Sequence, residues 1–237
     1  MSRVVAIIQA RTGSTRLPRK SLALINGREL VLHVVDRVAS MKGLDALVIA
    51  IPEHDDELAD VLSEKAHMPD GLIVRGPELN VLERFWIAAE QTAATTIVRV
   101  CGDSPLWCAD VGEEVLAVYQ RTLGCDYAWN PADLRHKFPG NIWPNGTDTE
   151  VFSRHLLDRA RREAMLPTDQ EDVTSWMRRR YGVTRVTIGA PEDYSKLKVS
   201  VDTQGELDRV RLISAHIPSG DYSLNGILEA DRACLMT

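Results

Sequence analysis

Val4-Val5-Ala6-Ile7-Ile8 runs directly into Gln9-Ala10-Arg11-Thr12-Gly13-Ser14-Thr15-Arg16-Leu17-Pro18-Arg19-Lys20 near the start of the chain. A short apolar run rich in β-branched residues, broken by a glycine and a proline, is typical of a buried strand that ends in a loop. A loop in that position is a common place for ligand-binding residues. The segment therefore predicts a buried strand followed by a ligand loop.

The composition of this loop indicates the kind of ligand. Its cationic side chains are Arg11, Arg16, Arg19 and Lys20. Gly13 allows the backbone to approach a ligand closely, and Ser14 and Thr15 add hydroxyl donors. Fixed positive charge and many donors suit a polyphosphate. The loop is not a Walker-type phosphate loop, because it lacks Gly-Lys-Ser/Thr after a four-residue spacer. The alternative is a basic surface loop without function.

Strand-like and helical patterns alternate through the first half of the chain. Compact apolar runs occur at 47–51, 72–74 and 96–100, and apolar residues recur at helical spacing over 30–38, 58–62, 81–89 and 111–119. Strands and helices that alternate with short links favour βαβ units and a mostly parallel sheet. The fold class expected from this pattern is α/β.

The second half is less regular. Residues 126–150 have little periodicity, which favours a functional loop or lid. Helices are predicted at about 153–164 and 169–180, and a strand at 198–201. Thr203 and Glu206 have the spacing of a capping box that opens a further helix.

Composition excludes several function classes. The chain has 237 residues, 44% of them hydrophobic, and a formal net charge of −6. This size fits one domain, and the negative charge argues against a nucleic-acid partner. No apolar run approaches the ~20 residues that span a bilayer, and no signal peptide is evident, so we expect a cytoplasmic protein. Neither the cysteines nor the histidines have metal-ligand spacing. The cysteines are therefore expected to be reduced thiols.

Two carboxylates follow predicted strands directly. Asp103 comes after the strand at 96–100, and Asp202 follows directly on the strand at 198–201. Ligands of open α/β sheets collect outside the carboxyl ends of the strands. Both carboxylates would therefore lie at the same edge of the sheet as the basic loop, where they could hold Mg²⁺. The alternatives are that Asp103 forms a turn and that Asp202 favours the start of the next helix.

The basic loop resembles the opening of the cytidylyltransferases that activate sugar acids. These include the CMP-ketodeoxyoctonate and CMP-acylneuraminate synthetases, and the similarity is greatest to the spore-coat polysaccharide branch. The resemblance implies a Rossmann-like, three-layer nucleotidyltransferase fold that binds CTP. It implies that Arg11 and Lys20 neutralise the phosphates as catalytic residues. It also implies that Ala10, Gly13, Ser14 and Arg16 lie along the nucleotide.

Other segments carry the same resemblance. Arg99 to Pro105 is similar to a family metal segment, which implies that Asp103 is a metal ligand and Gly102 a nucleotide contact. The Val-Asp-Thr segment implies the same metal role for Asp202. Residues 75–85 resemble the segment beside the nucleotide base, which implies a contact from Arg84, although Asn80 stands where the family has Asp. The alternative for Arg84 is a solvated cation.

Residues 145–152 resemble the acceptor-side segment of the spore-coat branch, which implies that Asp148 and Glu150 bind the acceptor. Their spacing of two on an extended stretch places both on one side, where they could bind hydroxyls, an amine or a metal. Asn145 and Asp172 replace the Asp and His that are usual in the branch. These departures leave open whether the acceptor differs from the commonest one.

The function expected from these observations is Mg²⁺-dependent transfer of CMP from CTP to a sugar acid or related small acceptor, with release of pyrophosphate. Residues 1–237 would form one nucleotidyltransferase domain, with an irregular acceptor-side or dimerisation segment at about 126–180. The resemblance also implies a homodimer. The alternatives are a glycosyltransferase that consumes a nucleotide-sugar and a catalytically inactive nucleotide-binding module.

Overall fold

The opening apolar run forms strand β1 at the centre of the main sheet. The computed structural model describes residues 2–68, 71–132, 138–217 and 220–236. The strands in this part of the chain are β1 (Val4–Gln9), β2 (Leu24–Ile25), β3 (Arg28–Glu29), β4 (Ala46–Pro52), β5 (Leu72–Gly76), β6 (Thr96–Cys101), β7 (Tyr127–Trp129), β8 (Glu150–Ser153) and β9 (Arg185–Thr187). The helices are α1 (Leu30–Ala39), α2 (Asp56–Lys65), α3 (Val81–Gln91), α4 (Ala109–Arg121), α5 (Arg154–Glu163), α6 (Pro167–Asp172), α7 (Ser175–Arg179), α8 (Gln204–His216) and α9 (Leu224–Cys234), with a 3-10 turn at Lys20–Leu22.

The order of the strands creates a crevice at the end of β1. Over the described residues the main sheet runs β5-β4-β1-β6-β8-β7-β9, and β8 is the strand antiparallel to its neighbours. From β1 the chain builds β4 and β5 on one side and then crosses to place β6 on the other. The connections after β1 and β6 therefore diverge, and such a switch point is where open α/β sheets bind ligands.

Helices cover both faces of the sheet. Val4, Ala6 and Ile8 of β1 lie in one apolar cluster, which includes residues of α1, α2, α4, α8 and α9. Val5 and Ile7 point the other way into a second cluster with α3, α5 and α7. Strand side chains alternate between the faces of a sheet, so the unbroken apolar run Val4–Ile8 of β1 requires cover on both sides. The result is three layers.

Short polar side chains define where several helices begin. Asn80 precedes α3, and its Oδ1 accepts the backbone N–H of Glu83 at 2.9 Å. Asn and Asp are about equally good at this position, so the family's Asp and this chain's Asn can start the helix alike. The predicted capping box at Thr203 and Glu206 is present at the start of α8.

The structure corrects three predictions in the second half. Residues 198–201 do not form a strand; Lys198 makes an isolated parallel bridge to Asn145. The segment 126–150, predicted to be irregular, supplies β7 and the first residue of β8 to the main sheet. The predicted helix 169–180 is divided into α6 and α7 at Val173, which has a φ of 65°. Both β7 and β8 are too short to show periodicity, and a positive φ at a β-branched residue has no local sequence signal.

No helix in the described ranges has both the length and the apolar character needed to cross a membrane.

Candidate functional site

The basic loop is held in place by hydrogen bonds from the neighbouring strand connections. The backbone N–H and the hydroxyl of Thr12 donate to the two carboxylate oxygens of Asp55, at 2.8 and 2.9 Å. Asp55 is buried and also caps α2. Ser21 donates its hydroxyl to the carbonyl oxygen of Arg11 at 2.7 Å. The loop conformation is therefore set by groups that do not depend on a ligand.

Lys20 joins the two predicted metal carboxylates. Its Nζ donates to Asp103 Oδ2 at 2.9 Å, to Asp202 Oδ1 at 3.0 Å and to the carbonyl oxygen of Val201 at 2.8 Å. The Lys20 side chain is only 13% exposed. Burial alone would lower the pKa of Lys20, but the two carboxylates outweigh it and raise the pKa above its ordinary value. The ammonium is therefore charged at physiological pH.

Asp202 is surrounded by more than one cation. Arg16 lies 3.0 Å from its Oδ1, and Lys198 lies 3.2 Å from its Oδ2. Burial would raise the pKa of Asp202, but Lys20 and then Lys198 lower it to about 2. Its backbone N–H donates to Glu206 at 2.7 Å, and Glu206 also pairs with Lys198 at 2.6 Å. Asp202 is thus a carboxylate at every physiological pH.

Backbone contacts bring Asp103 and Asp202 to one place. The N–H of Val201 donates to the carbonyl oxygen of Asp103 at 2.9 Å. Gly102 packs so closely against the end of β1 that a Cβ there would lie 2.4 Å from the carbonyl oxygen of Gln9. A larger residue would push Asp103 away from the basic loop. The predicted convergence of the loop with both carboxylates is therefore present.

Two adjoining cavities meet at these carboxylates. The smaller, of about 230 Å³, is lined by Ala10, Arg11, Ser14, Arg16, Lys20, Arg84, Gly102, Asp103 and Asp202, among others. The larger, of about 1090 Å³, is lined by Asp148 and Glu150 and shares Arg16, Asp103 and Asp202 with the smaller one. Gly13, which precedes Ser14, is not among the residues that line the smaller cavity; a Cβ there would meet Glu78 at 3.0 Å. The other predicted site residues are thus divided between the two cavities. Arg16, Asp103 and Asp202 line both, Asp148 and Glu150 line only the larger one, and the rest line only the smaller one.

Arg84 is buried in the wall of the smaller cavity. Only 2% of the residue is exposed, so the interpretation of it as a solvated cation is wrong. Its Nη1 donates to the carbonyl oxygens of Pro77 and Glu78, both at 2.9 Å. Burial, and then the nearby charge of Arg11, lowers its pKa to about 10. Arg84 therefore holds the loop before α3 and brings positive charge to this cavity.

Asp148 lies in the wall of the larger cavity. Its Oδ2 accepts the backbone N–H of Gly146 at 3.0 Å. Gly146 has a φ of 105°, and a Cβ there would lie 2.5 Å from the backbone nitrogen of Ser200, so this turn requires glycine. Burial, together with the negative charges of Glu150 and Asp103, raises the pKa of Asp148 to about 6.

The raised pKa of Asp148 predicts a pH-dependent gain in stability for Asp148→Asn. Between the ordinary value of 3.8 and about 6, the folded protein binds more protons than the unfolded chain, so the free energy of unfolding falls as pH rises. Asparagine removes this cost. We expect the variant to be more stable than the wild type by on the order of 1 kcal/mol at pH 8 and by less at pH 4. Urea unfolding in EDTA at both pH values measures this, and an equal difference at the two pH values would contradict it.

Glu150 is enclosed in a buried ionic network instead of projecting freely. It is 5% exposed and accepts hydrogen bonds from Arg99, Arg178 and the hydroxyls of Tyr127 and Thr174. Burial would raise the pKa of Glu150, but Arg99 and Arg178 outweigh it and lower the pKa to about 2. Its carboxylate therefore holds two guanidiniums against the wall of the larger cavity.

The sequence prediction missed several residues of the site. Asp55 and Lys198 were not singled out, and Arg99, Arg178 and Glu206 were not assigned contacts in the site. Arg99 lies within a strand, where an isolated charge between apolar residues can indicate a buried ion pair. Glu206 was explained by the capping box alone, although its carboxylate also contacts Lys198. The remaining contacts join segments distant in the chain, and no local pattern indicates them.

Carboxylate oxygens are the donors available for a metal ion at this place. In the described ranges no group of three or more His, Cys, Asp or Glu side chains is arranged to hold a metal ion. Asp103 and Asp202 instead offer two carboxylates joined by Lys20. Mg²⁺ is commonly held by one or two carboxylates together with substrate phosphates. The residues therefore fit Mg²⁺ if a bound nucleotide completes its coordination.

Comparison with known proteins identifies similar sequences and folds. Residues 5–121 match the cytidylyltransferase family model. The chain is 31% identical over 224 residues to the spore coat polysaccharide biosynthesis protein SpsF of Bacillus subtilis, covering 90% of this chain and 87% of that protein. A cytidylyltransferase structure from Leptospira borgpetersenii superposes with a TM-score of 0.88 at 20% identity, covering 100% of this chain and 96% of the other.

A second solved structure has a more distant fold similarity. CMP:2-keto-3-deoxy-manno-octonic acid synthetase complexed with CTP superposes with a TM-score of 0.66 at 20% identity, covering 90% of this chain and 99% of the other. Together with the sheet order, the two superpositions confirm the predicted α/β nucleotidyltransferase fold with its mostly parallel central sheet.

Proposed function

This chain belongs to the cytidylyltransferase family and is a CTP-dependent nucleotidyltransferase, and on that premise we propose that it transfers CMP to a sugar acid or a related small acceptor in a Mg²⁺-dependent reaction. The observation that carries this proposal is the position of Lys20. Its ammonium contacts Asp103 and Asp202 at the boundary between the two cavities. A reacting phosphate at that boundary would lie within reach of both a nucleotide and an acceptor. Family membership favours this reaction over a glycosyltransferase or an inactive nucleotide-binding module.

The smaller cavity is the proposed CTP site. Arg11, Arg16 and Lys20 supply positive charge for the triphosphate, and Arg84 adds a buried guanidinium. Ala10, Ser14 and Gly102 line this cavity and would bring backbone close to the nucleotide, and Gly13 would contribute through the loop next to Ser14. Because the loop is already held by Asp55, little conformational freedom is lost when CTP binds.

The larger cavity is the proposed acceptor site. Asp148 and Glu150 line it, and both were predicted to contact the acceptor. Asp148 has the freer carboxylate and would accept hydrogen bonds from the acceptor directly. Glu150 would act by keeping Arg99 and Arg178 in position.

The chemistry proposed at the boundary is one displacement at phosphorus. The oxygen of an acceptor hydroxyl bonds to the α-phosphorus of CTP and its proton passes to solvent. The bond from that phosphorus to the bridging oxygen breaks, and pyrophosphate leaves with the electron pair. Arg11 and Lys20 stabilise the charge that builds on the phosphates, and the surrounding residues hold the two reactants together. Asp103 and Asp202 would hold Mg²⁺, which when bound neutralises phosphate charge.

We also propose that the protein is a cytoplasmic homodimer with one domain over residues 1–237 and an acceptor-side or dimerisation segment at about 126–180. Exposed apolar side chains in that segment support a protein contact there: Met165 is 78% exposed and Leu166 is 55% exposed. A cytoplasmic location agrees with the use of CTP.

The proposal is tested by measuring pyrophosphate release with Mg²⁺ and each of the four nucleoside triphosphates, over a panel of sugar acids, sugars and aminoalkyl phosphonates. We expect release with CTP and at least one acceptor, and none when EDTA replaces Mg²⁺. Binding of CTP without release would indicate either an acceptor outside the panel or a catalytically inactive nucleotide-binding module. Failure of the protein to bind any nucleotide would overturn the proposal.

A further inference from the structure

Two arginines in the wall of the larger cavity are already paired with two carboxylates. Arg178 places its Nη1 2.6 Å from Glu150 and its Nη2 against Asp172. Arg99 contacts Glu150 through Nη1, and its Nη2 lies 3.7 Å from Asp172 Oδ1. These four side chains, here called the arginine quartet, come from β6, α7, β8 and α6. With two positive and two negative groups, the quartet has a formal charge of zero.

The hydrogen-bonding capacity of the quartet is also largely used. Thr174 donates to Glu150 at 2.8 Å and accepts from Arg178 at 2.9 Å. Ser175 donates to Asp172, and Arg99 Nε donates to Gln9 at 3.0 Å. A carboxylate brought against these guanidiniums would lose its hydration without meeting an uncompensated positive charge. Such a burial costs free energy, because an already paired cation repays little of the desolvation.

Two further carboxylates line the larger cavity, and Arg179, which also lines it, is already paired with Asp169. One oxygen of Asp148 accepts from Gly146, and among the described residues no cationic nitrogen lies within 4.0 Å of this carboxylate. Glu171, beside Asp172, is more than half exposed and has Arg11 3.6 Å away. A group of the acceptor substrate that lies here would meet carboxylate oxygens. The matching chemistry is a hydrogen-bond donor.

Resting on the function proposed above, we infer that Asp172 determines the charge of the group that the acceptor places here. By completing the neutralisation of Arg99 and Arg178, it makes this end of the cavity bind hydroxyl or ammonium groups and disfavours a carboxylate. A sugar acid would therefore turn its carboxylate away from the quartet and present its hydroxyls to it. Asp172 does not contact the reacting phosphate in this arrangement; it acts through the two arginines, as a positioning residue for specificity.

The test compares ligands that differ at one group. One set is 6-amino-6-deoxyglucose, glucose and glucuronate; the other is 2-aminoethylphosphonate, 2-hydroxyethylphosphonate and 3-phosphonopropionate. Each would be titrated calorimetrically into the CTP-loaded protein, as wild type, Asp172→Asn and Asp172→Glu. We expect the wild type to bind the ammonium and hydroxyl members more tightly than the carboxylate member. Asp172→Asn should shift the ratio of carboxylate to hydroxyl affinity by about 10-fold towards the carboxylate, and Asp172→Glu should restore it.

The ratio of carboxylate to hydroxyl affinity distinguishes a specificity role for Asp172 from a merely structural one. A merely structural role for Asp172 would weaken all members of a set alike and leave the ratio unchanged, and that result would overturn the inference. So would a wild type that prefers the carboxylate member, or one that binds neither donor-bearing member at 10 mM probe. Absence of CTP binding, measured first in the same instrument, would instead count against the proposed function. Thermal unfolding of each variant establishes that it is folded.

Discussion

Asp103→Asn is expected to lower the rate of pyrophosphate release from CTP by about 100- to 1,000-fold while the protein stays folded. Asparagine has nearly the same shape, and its amide oxygen can still accept from Lys20, which lies 2.9 Å from the native carboxylate. It removes the negative charge that would help to hold Mg²⁺, and losing one preorganised electrostatic group in an active site typically costs that much. Steady-state kinetics at saturating CTP, with circular dichroism on the same sample, measures both parts of the expectation.

The matched control for this variant is Asp56→Asn. Asp56 lies at the start of α2 with its side chain 81% exposed, and it pairs with Arg75 at 2.9 Å. It lines neither of the cavities at the site, so the same change there should leave the rate unaltered. Turnover of the Asp103→Asn variant within a few-fold of wild type at the same Mg²⁺ concentration would remove Asp103 from the metal assignment.

Lys20→Ala is expected to weaken CTP binding by about 100-fold. The substitution deletes the cation between two carboxylates and leaves Asp103 and Asp202 facing the bound phosphates without it. Breaking a buried charge pair by removing one partner commonly costs 3–5 kcal/mol, and part of that cost falls on the ligand that needs the same charge. Calorimetric titration of CTP, with and without Mg²⁺, gives the two affinities.

Lys65→Ala provides the comparison for Lys20. Lys65 makes an ion pair with Glu29 at 2.6 Å near the end of α2, and its side chain is 44% exposed. Exposed pairs contribute about 0–1 kcal/mol, so this variant should bind CTP as the wild type does. A second readout concerns Asp202, whose pKa Lys20 helps to lower to about 2. Lys20→Ala should raise that pKa towards its ordinary value; equal CTP affinity and an unmoved Asp202 titration would refute the role given to Lys20.

Much of the fold could be predicted because its first half is locally consistent. β1, β4 and β6 are buried apolar runs, and β5 is a shorter apolar run at the edge of the sheet. The helices between them have clear periodicity, and side chains cap the starts of α2 and α3. In such segments the local pattern and the tertiary environment favour the same structure. β7 and β8 were missed because strands of three and four residues show no period, and they are held by pairing with each other and with β6.

The site was predictable to the extent that its residues follow strand ends. The basic loop and Asp103 follow β1 and β6, and the parallel order of those strands brings them together. Asp202 was placed correctly for a partly wrong reason. No strand precedes it, and the hydrogen bond from Val201 to the carbonyl oxygen of Asp103 brings it to the site instead.

The amino-acid sequence by itself determined the α/β class, the family and the cationic loop, because buried strands, amphipathic helices and a twelve-residue motif are properties of neighbouring residues. Only the tertiary structure decided how the charges are paired. Asp172 could be seen in the sequence as a departure from a familiar pattern, but its contact with Arg178 depends on the break at Val173 and on the packing of α7. The energy of a buried charge depends on which opposite charges lie within a few ångströms of it, and that distance is set by the fold as a whole.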